Sequence, residues 1–174
     1  MFFPSKPLLF ETDSTVVMPT KSLQQTAQRF AQRYPPCGQR IYRNTLAVGV
    51  VDQYLSLLGI KTDITQGDSW NPVMQVVNDV ADLYLPAYGR IECRVVEAES
   101  AQCYVPAEVS CDRIAYIIIR LYLEPGEPEA ALLGFAPEVT DEWIPLHNLR
   151  SLLELPQYLI DCSIFNPIDQ DLLD

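Results

Sequence analysis

Four aspartates in the middle of the chain carry the side chains best suited to chemistry. Asp63, Asp68, Asp79 and Asp82 could supply the acid and base of a hydrolysis, or the oxygen ligands of a hard cation. However, Asp79 and Asp82 are three residues apart on the polar side of a predicted helix, where solvated acids are expected. Asp63 and Asp68 lack the alternating ligand spacing of an EF-hand loop. We therefore predict no metal site, and a carboxylate-dependent hydrolase, with or without a metal ion, remains an alternative function.

Nucleophilic catalysis would depend on His147, because it is the only histidine in the chain. Cys103, Cys111 or Ser69 could act as nucleophile and Asp141 could orient the base, but no spacing brings these residues together. We expect His147 to cap the start of the last helix instead. The sequence also lacks the glycine-rich loops that bind phosphates and the G-x-S-x-G elbow of hydrolases. No catalytic residue and no cofactor is predicted.

The stretch GDSWNPVMQVVNDVADL, residues 67–83, predicts a structural joint that leads into a helix. Pro72 suits the first turn of that helix, and Ser69 or Asn71 can cap it. Valines at helical spacing predict its buried face: Val73, Val76, Val77 and Val80. We expect Trp70 to anchor the joint against the core. The candidate binding residues of the joint are Asp68, Trp70 and Asn71.

Charge is distributed unevenly along the chain. Residues 1–60 contain six basic and three acidic residues, a net charge of +3, whereas residues 61–174 contain six basic and twenty acidic residues, a net charge of −14. The total of −11 and the isoelectric point near 4.4 argue against nucleic-acid binding, which needs a concentrated basic field. Either the two parts pack together and partly neutralise each other, or the acidic part forms a surface for a basic protein partner. Arg29 and Arg33, one turn apart on a predicted helix, are candidates for binding an anion or an acidic partner, or form a solvated flank.

Hydrophobic spacing predicts three longer helical segments. Apolar residues recur every three or four positions after Thr20, a suitable N-cap, until Pro35 and Pro36 end the helix. Residues 41–59 are apolar on most sides and end in Gly59, which predicts a central buried helix followed by a left-handed turn. The segment NLRSLLEL predicts a short last helix that ends near Pro156.

Alternating apolar residues predict β-hairpins at residues 81–97 and 113–137, with residues 103–109 as a short extended link between them. Residues 8–11, LLFE, could add an edge strand. The predicted fold is α+β: N-terminal helices pack on a mainly antiparallel sheet of hairpins, with a short C-terminal helix. We expect one domain at residues 20–160, an extended N-terminal segment at 1–19 and an acidic-hydrophobic tail at 161–174.

Composition indicates a cytoplasmic protein without membrane contact. Hydrophobic residues make up 48% of the chain and charged residues 20%, which is a globular balance. Proline and lysine interrupt the first ten residues, where a secretory signal would be apolar, and the longest strongly apolar segment, residues 46–51, is too short to span a bilayer. The five cysteines include no C-x-x-C pair and are expected to be buried free thiols. The oligomeric state is not predicted.

Several motifs together resemble one known family, a cyanobacterial domain of unknown function numbered 1822 (DUF1822). They are NTLAV (44–48), DSWNPVMQ (68–75), DVADL (79–83), GRIECRVV (89–96), YVPAEV (104–109), DRIAYI (112–117) and LLGFAPEV (132–139). The resemblance implies a cyanobacterial source and a regulatory adaptor, but no activity, cofactor or catalytic residue. We therefore predict a non-enzymatic interaction or regulatory module that binds a basic protein such as a sigma factor. A small-ligand pocket between the central helix and the sheet is a further alternative.

Overall fold

A five-stranded β-sheet separates a layer of helices from a layer of short strands and turns. The computed structural model describes residues 14–124 and 126–165. The helices in this part of the chain are α1 (Lys21–Arg33), α2 (Gly38–Leu57), α3 (Pro72–Val77) and α4 (Leu155–Phe165). The strands are β1 (Thr15–Val17), β2 (Asp82–Leu85), β3 (Gly89–Val95), β4 (Gln102–Tyr104), β5 (Ala115–Tyr122), β6 (Glu129–Ala136) and β7 (Trp143–Pro145). The predicted α+β class, with N-terminal helices and a short C-terminal helix, is confirmed.

The five-stranded sheet has the strand order β1-β6-β5-β3-β2 and is mixed. Both predicted hairpins are present, because β2 pairs with β3 and β5 pairs with β6 in antiparallel register. β3 and β5 are parallel, however, and join the two hairpins edge to edge. Parallel neighbours need a crossover connection, and here residues 96–114 pass over one face of the sheet. The hairpin pattern of the sequence did not predict this pairing.

The helix layer is built around α2, whose residues 46–51 are buried. α1 packs closely along it: Gly49 of α2 has no side chain, and a Cβ at this position would collide with Leu23 of α1. Thr20 caps α1 as predicted, because its hydroxyl accepts a hydrogen bond from the backbone N–H of Leu23 at 3.2 Å. Gly59 has a φ of 74°, so the predicted left-handed turn follows α2.

The opposite face of the sheet is covered by residues 97–112 and 137–149, which we call the cap. β4 and β7 pair antiparallel inside the cap, so the segment predicted as an extended link contains a strand. Val105 and Ile144 of the cap pack against Ile118 of β5 in a second, smaller apolar cluster. The sheet therefore has a core on each face, one under helices and one under the cap.

The joint before β2 is confirmed in part. Asn71 caps α3, since its side-chain oxygen accepts a hydrogen bond from the N–H of Val73 at 3.0 Å. The predicted valine face is wrong, because Val73 and Val77 are 53% and 73% exposed. α3 instead buries Gln75, whose side-chain amide donates to the hydroxyl of Thr45 in α2 at 3.2 Å. A helix of six residues thus attaches to the core through a polar contact.

The C-terminal helix begins where the sequence predicted its end. α4 starts at Leu155, and Pro156 lies in its first turn, where proline's missing N–H leaves no helical hydrogen bond unmade. The cap prediction for His147 is also wrong: His147 is exposed in an earlier 3-10 turn, and Ser151 caps the 3-10 turn before α4. The predicted strand at residues 8–11 and the tail beyond residue 165 lie outside the described residues.

Among residues 14–124 and 126–165, the longest helices are too short or too polar to cross a bilayer.

Candidate binding cleft

A cleft of about 430 Å³ lies where the helix layer meets the cap, and we call it the seam cleft. The N-terminal end of α2 forms one wall, the end of β3 and the turn after it form another, and β4 and β7 complete it. Its charged lining residues are Arg40, Arg43, Asp79, Arg94 and Glu97. Its aromatic lining residues are Tyr104 and Trp143.

Helix and strand periodicity place the arginines in the cleft. Arg40 and Arg43 are three residues apart in the first turns of α2 and therefore share one face of the helix. In β3, Cys93 belongs to the core on the helix side, so its neighbours Glu92 and Arg94 project from the opposite face. The strand thus carries two charged side chains toward the cap side of the sheet.

Arg94 is almost fully buried and is held by Asp79, which lies in the segment before β2. Its Nη2 is 2.9 Å from Asp79 Oδ2, and its Nη1 donates to the backbone carbonyl of Asp79 at 3.0 Å. Asn44 of α2 donates to Asp79 Oδ1 at 2.9 Å, so this carboxylate links helix and strand. Burial alone would raise the pKa of Asp79, but the hydrogen bond and charge of Arg94, with help from Asn44 and Arg40, lower it overall. Asp79 is therefore ionised at neutral pH.

Glu92 is completely buried next to Arg94. Its carboxylate accepts from the Nε of Arg113 at 2.9 Å and from the backbone N–H of Ala81 at 2.8 Å. Burial raises the pKa of Glu92, and the charges of Arg94 and Arg113 oppose that rise. Its contacts point into the protein and away from solvent, so Glu92 supports Arg94 and has no free oxygen to offer a ligand.

Arg40 is positioned by α3. Its Nη2 donates to the backbone carbonyls of Gln75 and Val76 at 2.8 and 3.2 Å. Its Nε is buried and has no hydrogen-bond partner among the described residues, and the same is true of the Nε of Arg94. A buried N–H without a partner costs roughly 1–3 kcal/mol. Two arginines of the same cleft thus keep unused donor capacity.

Arg43 makes the ion pair that crosses the seam. Its Nη2 is 2.7 Å from Oε1 of Glu97, which lies in the turn after β3. The Arg43 side chain is 25% exposed, whereas the Glu97 side chain is 74% exposed. An ion pair with such an exposed partner contributes about 0–1 kcal/mol, so its geometry can change at low cost.

An aromatic pair stands beside these charges. Tyr104 and Trp143 are opposite residues of β4 and β7, and their ring centroids are 5.2 Å apart at an interplanar angle of 57°. Tyr104 is 45% exposed and Trp143 is 42% exposed. Exposed, rigid aromatic side chains with two rotatable bonds are well suited to binding, because little entropy is lost when a ligand packs on them.

The charge of the cleft is opposite in sign to that of the chain. Three arginines and two carboxylates line it, which leaves a net charge of +1, whereas the whole chain carries −11. The cause is the layering, because α1 and α2 carry five basic residues and one acidic residue, while the cap carries seven acidic residues and neither lysine nor arginine. The cleft opens on this boundary and takes its cations mainly from the helix side.

The five candidate binding residues predicted from sequence, Asp68, Trp70, Asn71, Arg29 and Arg33, lie outside the lining of the seam cleft. Trp70 packs against the core as expected and contacts Phe30 edge-to-face, with their ring centroids 5.6 Å apart. The guanidinium of Arg29 lies 6.0 Å from the same Phe30 ring, and Arg33 is exposed farther along α1. Asn71 acts as the cap of α3. Arg29 and Trp70 therefore each lie near the Phe30 ring of α1.

The four aspartates do not share one site. Asp82 is fully buried and bonded to Arg90 at 2.5 Å, and Asp68 approaches the same guanidinium at 3.6 Å. Asp63 caps a 3-10 turn, and Asp79 belongs to the seam cleft. Asp68 and Asp82 therefore meet at Arg90, whereas Asp63 and Asp79 lie elsewhere. Within the described residues, no group of three or more His, Cys, Asp or Glu side chains could hold a metal ion.

The buried thiols offer little reactivity. Burial raises the pKa of Cys103 to about 11 and raises that of Cys93 well above its usual value. Both cysteines are therefore protonated thiols at neutral pH, and the thiolate is the reactive form. They act as apolar core residues, as predicted. The prediction of burial is wrong for the other three cysteines, because Cys111 is exposed and Cys37 and Cys162 are only partly buried.

Sequence reasoning missed Arg40, Arg43, Arg94, Tyr104 and Trp143. One signal was available: in the strand GRIECRVV, Glu92 and Arg94 alternate with apolar residues inside a segment that is otherwise suited to burial. Charged residues are rarely buried unless they are paired, so such a strand indicates an ion-pair network. The aromatic pair has no comparable signal, because Tyr104 and Trp143 become neighbours only when β4 and β7 pair.

One comparison with known proteins gives a match. The family model described as Protein of unknown function (DUF1822) matches residues 20–161. No curated protein and no solved structure matches the chain.

Proposed function

Since the chain belongs to the DUF1822 family, whose description gives no function, we propose from the site itself that the protein is a non-enzymatic binding module. Its seam cleft would hold the ligand between the helix layer and the cap. The observation that carries this proposal is the combination of three arginines and an exposed aromatic pair in one cleft of about 430 Å³.

The dimensions and rigidity of the cleft support binding. Ligand pockets are typically clefts of ~300–1,000 Å³ in which a few polar groups fix the orientation of the ligand. Arg94 and Arg40 are held by Asp79 and by backbone carbonyls, so their guanidinium groups are fixed before any ligand arrives. A preorganised site loses less entropy on binding than a mobile one.

The same chemistry supports binding over catalysis. A general acid or base works best when its pKa is near the operating pH. In the seam cleft, burial would raise the pKa of Asp79 and lower the pKa of Arg94. Their mutual hydrogen bond and charge attraction outweigh burial, so the pKa of Asp79 is lowered and that of Arg94 is raised. Each group therefore keeps its charge at neutral pH, which suits a fixed electrostatic contact and not a proton transfer.

The test is a protein-observed NMR titration with a fragment mixture that contains acidic, neutral and basic members. We expect amide shifts to cluster around the seam cleft, and to vanish in Tyr104→Ser/Trp143→Ser. A control variant, Leu57→Ser/Leu153→Ser, removes two apolar side chains that are each 84% exposed and do not line the cleft, and it should bind as the wild type does. Shifts that cluster on another surface, or that persist in the cleft variant, would contradict the proposal.

A second candidate function uses the cap and follows the expectation of a basic protein partner. It is favoured by the seven acidic residues of the cap and by its lack of lysine and arginine. A cytoplasmic regulatory role in a cyanobacterium, with a basic partner such as a sigma factor, would suit such a surface. Long-range attraction between charged surfaces would make this association sensitive to salt.

Affinity capture from a cyanobacterial lysate at low and high salt tests the second candidate. We expect a basic protein to be retained at low salt only, and to be lost with Glu138→Gln/Asp141→Asn/Glu142→Gln. A matched control, Glu124→Gln/Glu127→Gln/Glu129→Gln, removes the same charge outside the cap and should retain the partner. Equal capture by both variants would show that the cap is not the binding surface.

A further inference from the structure

We infer that the ligand of the seam cleft is a monoanion in which a carboxylate is attached to a flat, apolar ring, and that Glu97 is an internal competitor for its binding. The inference rests on the proposed function, because it concerns the same cleft. It adds the chemical class of the ligand and names the residue that limits its affinity.

The contact between Arg43 and Glu97 provides the first argument. A carboxylate from a turn on the far side of the seam is bound by a guanidinium of the cleft at 2.7 Å. Guanidinium and carboxylate groups match in shape and can form two parallel hydrogen bonds. Glu97 therefore already occupies Arg43 in the way in which a ligand carboxylate would. Because its side chain is 74% exposed, Glu97 can return to solvent when a ligand displaces it.

The remaining arginines decide the sign of the ligand's charge. Arg40 has no carboxylate within 4 Å among the described residues and is held by the carbonyls of α3. Arg94 is paired with Asp79 and Glu92 and adds its positive charge to the lining of the cleft. The lining carries a net charge of +1 with Glu97 in place and of +2 once Glu97 is displaced. A ligand carboxylate replaces the single charge of Glu97 and restores the original balance, whereas a cation would be repelled.

The aromatic pair decides what is attached to the carboxylate. Tyr104 and Trp143 line the same cleft and leave nearly half of their surfaces open to solvent. Aromatic rings prefer edge-to-face or offset contacts with other rings, and such contacts add to the gain from burying apolar area. An acid with a flat ring can therefore satisfy both parts of the cleft, whereas acetate satisfies only the arginines.

The experiment uses four small probes on the full chain: phenylacetate, its neutral amide phenylacetamide, the cation 2-phenylethylamine, and acetate. Binding is followed by NMR shifts at the cleft, up to a concentration on the order of 10 mM, because ligands with so few atoms bind weakly. We expect phenylacetate to bind at least about threefold more tightly than each of the other three probes.

Glu97→Gln tests the role of Glu97. We expect it to tighten phenylacetate binding about threefold to fivefold, because breaking an exposed ion pair such as Arg43–Glu97 changes an affinity by at most about fivefold. Glu99→Gln removes the same charge from an exposed residue of the same turn and should change the affinity by less than about twofold. Arg43→Gln should weaken phenylacetate binding by a larger factor than it weakens phenylacetamide binding, because only phenylacetate loses a charged contact. Amide spectra of each variant establish that its fold is intact.

Different failures have different meanings. If phenylacetamide or 2-phenylethylamine binds the cleft as tightly as phenylacetate, the ligand class is wrong while the cleft remains a binding site. If Glu97→Gln behaves like Glu99→Gln, Glu97 is not a competitor. If none of the four probes shifts the cleft, the inference is overturned, and the proposed function then depends on whether other fragments bind there.

Discussion

The two faces of the central sheet are covered in different ways. On the helix side, α1, α2 and α4 bury a continuous apolar core, and residues 46–51 of α2 lie at its centre. On the cap side, short strands and turns cover a smaller cluster around Ile118. The fully or nearly fully buried charges Asp82, Glu92 and Arg94 belong to β2 and β3, at the margin of this second cluster.

This difference separates apolar packing on one face from paired charges on the other. Apolar burial provides ~25 cal/mol per Å² and has no directional requirement, so the helix side can be made stable with leucine, valine and isoleucine alone. Burying an ion pair costs desolvation free energy, and the pair is stable only when its charged groups are held in a specific geometry. The cap side, which has less apolar area, carries the ion pairs and the aromatic pair. α2 contributes to both, because its central part is core and its N-terminal end is a wall of the cleft.

The largest expected losses in the free energy of unfolding come from truncating a core side chain, and they should differ between the two faces of the sheet. Leu46→Ala on the helix side should lower the free energy of unfolding by about 4 kcal/mol, because close packing prevents the cavity from collapsing. Ile144→Ala in the cap should cost only about 2 kcal/mol, since a three-residue strand between turns can move into the space. Chemical denaturation measures both losses.

Hydrogen exchange sharpens the same comparison. Leu46→Ala should speed exchange throughout the sheet, whereas Ile144→Ala should speed it mainly in β4 and β7. Equal losses with the same global exchange pattern would mean that the two faces form a single cooperative unit.

The next largest loss of stability is expected at Asp79, whose carboxylate links Asn44 of α2 to Arg94 of β3. Asp79→Asn should lower the free energy of unfolding by about 3 kcal/mol at neutral pH, because it leaves buried Arg94 without its closest charged partner. Asp68→Asn is the matched control. Asp68 pairs with Arg90 at 3.6 Å, and its side chain is 49% exposed, so its loss should cost less than about 1 kcal/mol.

The effect of Asp79→Asn depends on pH in a defined direction. The pKa of Asp79 is lower in the folded protein than its usual value of 3.8, so protonation favours the unfolded chain. The stabilisation is complete above that usual value and is lost as the pH falls through the lowered folded pKa. The difference between wild type and Asp79→Asn should therefore shrink in acid, as measured by urea unfolding over a pH series. A difference that stayed constant would show that Asp79 acts through shape and not through charge.

The sequence predicted those elements that are determined by local pattern. α2, the cap of α1 and both hairpins follow from helical spacing, capping residues and turn composition, which act over a few residues. The prediction that the valines of α3 are buried was wrong because a six-residue helix has too little surface for periodicity to determine its orientation. Gln75, with its bond to Thr45, fixes that orientation through a long-range polar contact.

The seam cleft could not be predicted in the same way. Its residues come from α2, from the segment before β2, and from β3, β4 and β7, which meet only after β3 and β5 pair in parallel. Closeness in sequence instead favoured the four aspartates, of which Asp68, Asp79 and Asp82 pair with arginines that strand register places beside them. Register determines which charges face each other, and spacing along the chain does not reveal it.

The smallest expected change in the free energy of unfolding is an increase, and it tests whether the backbone of the cap is strained. Thr140 and Trp143 form an antiparallel bridge around a two-residue turn, in which Asp141 and Glu142 have φ values of 56° and 62°. Positive φ at both positions is typical of a type I′ turn, for which Asp-Gly is among the preferred sequences. Glu142→Gly should therefore stabilise the protein by about 1 kcal/mol, since it removes a left-handed non-glycine residue.

Glu138→Gly is the control for this turn. Glu138 is an exposed acid of the same cap without a left-handed φ, so glycine there should only increase the entropy of the unfolded chain and cost about 0.5–1 kcal/mol. The two variants have the same charge, and opposite changes in the midpoint of urea unfolding are expected. Because the turn leads directly into Trp143, the protein would tolerate strain in the cap where it positions the aromatic pair of the cleft. Destabilisation by both variants would mean that the turn is relaxed and that the cap is limited by its small core alone.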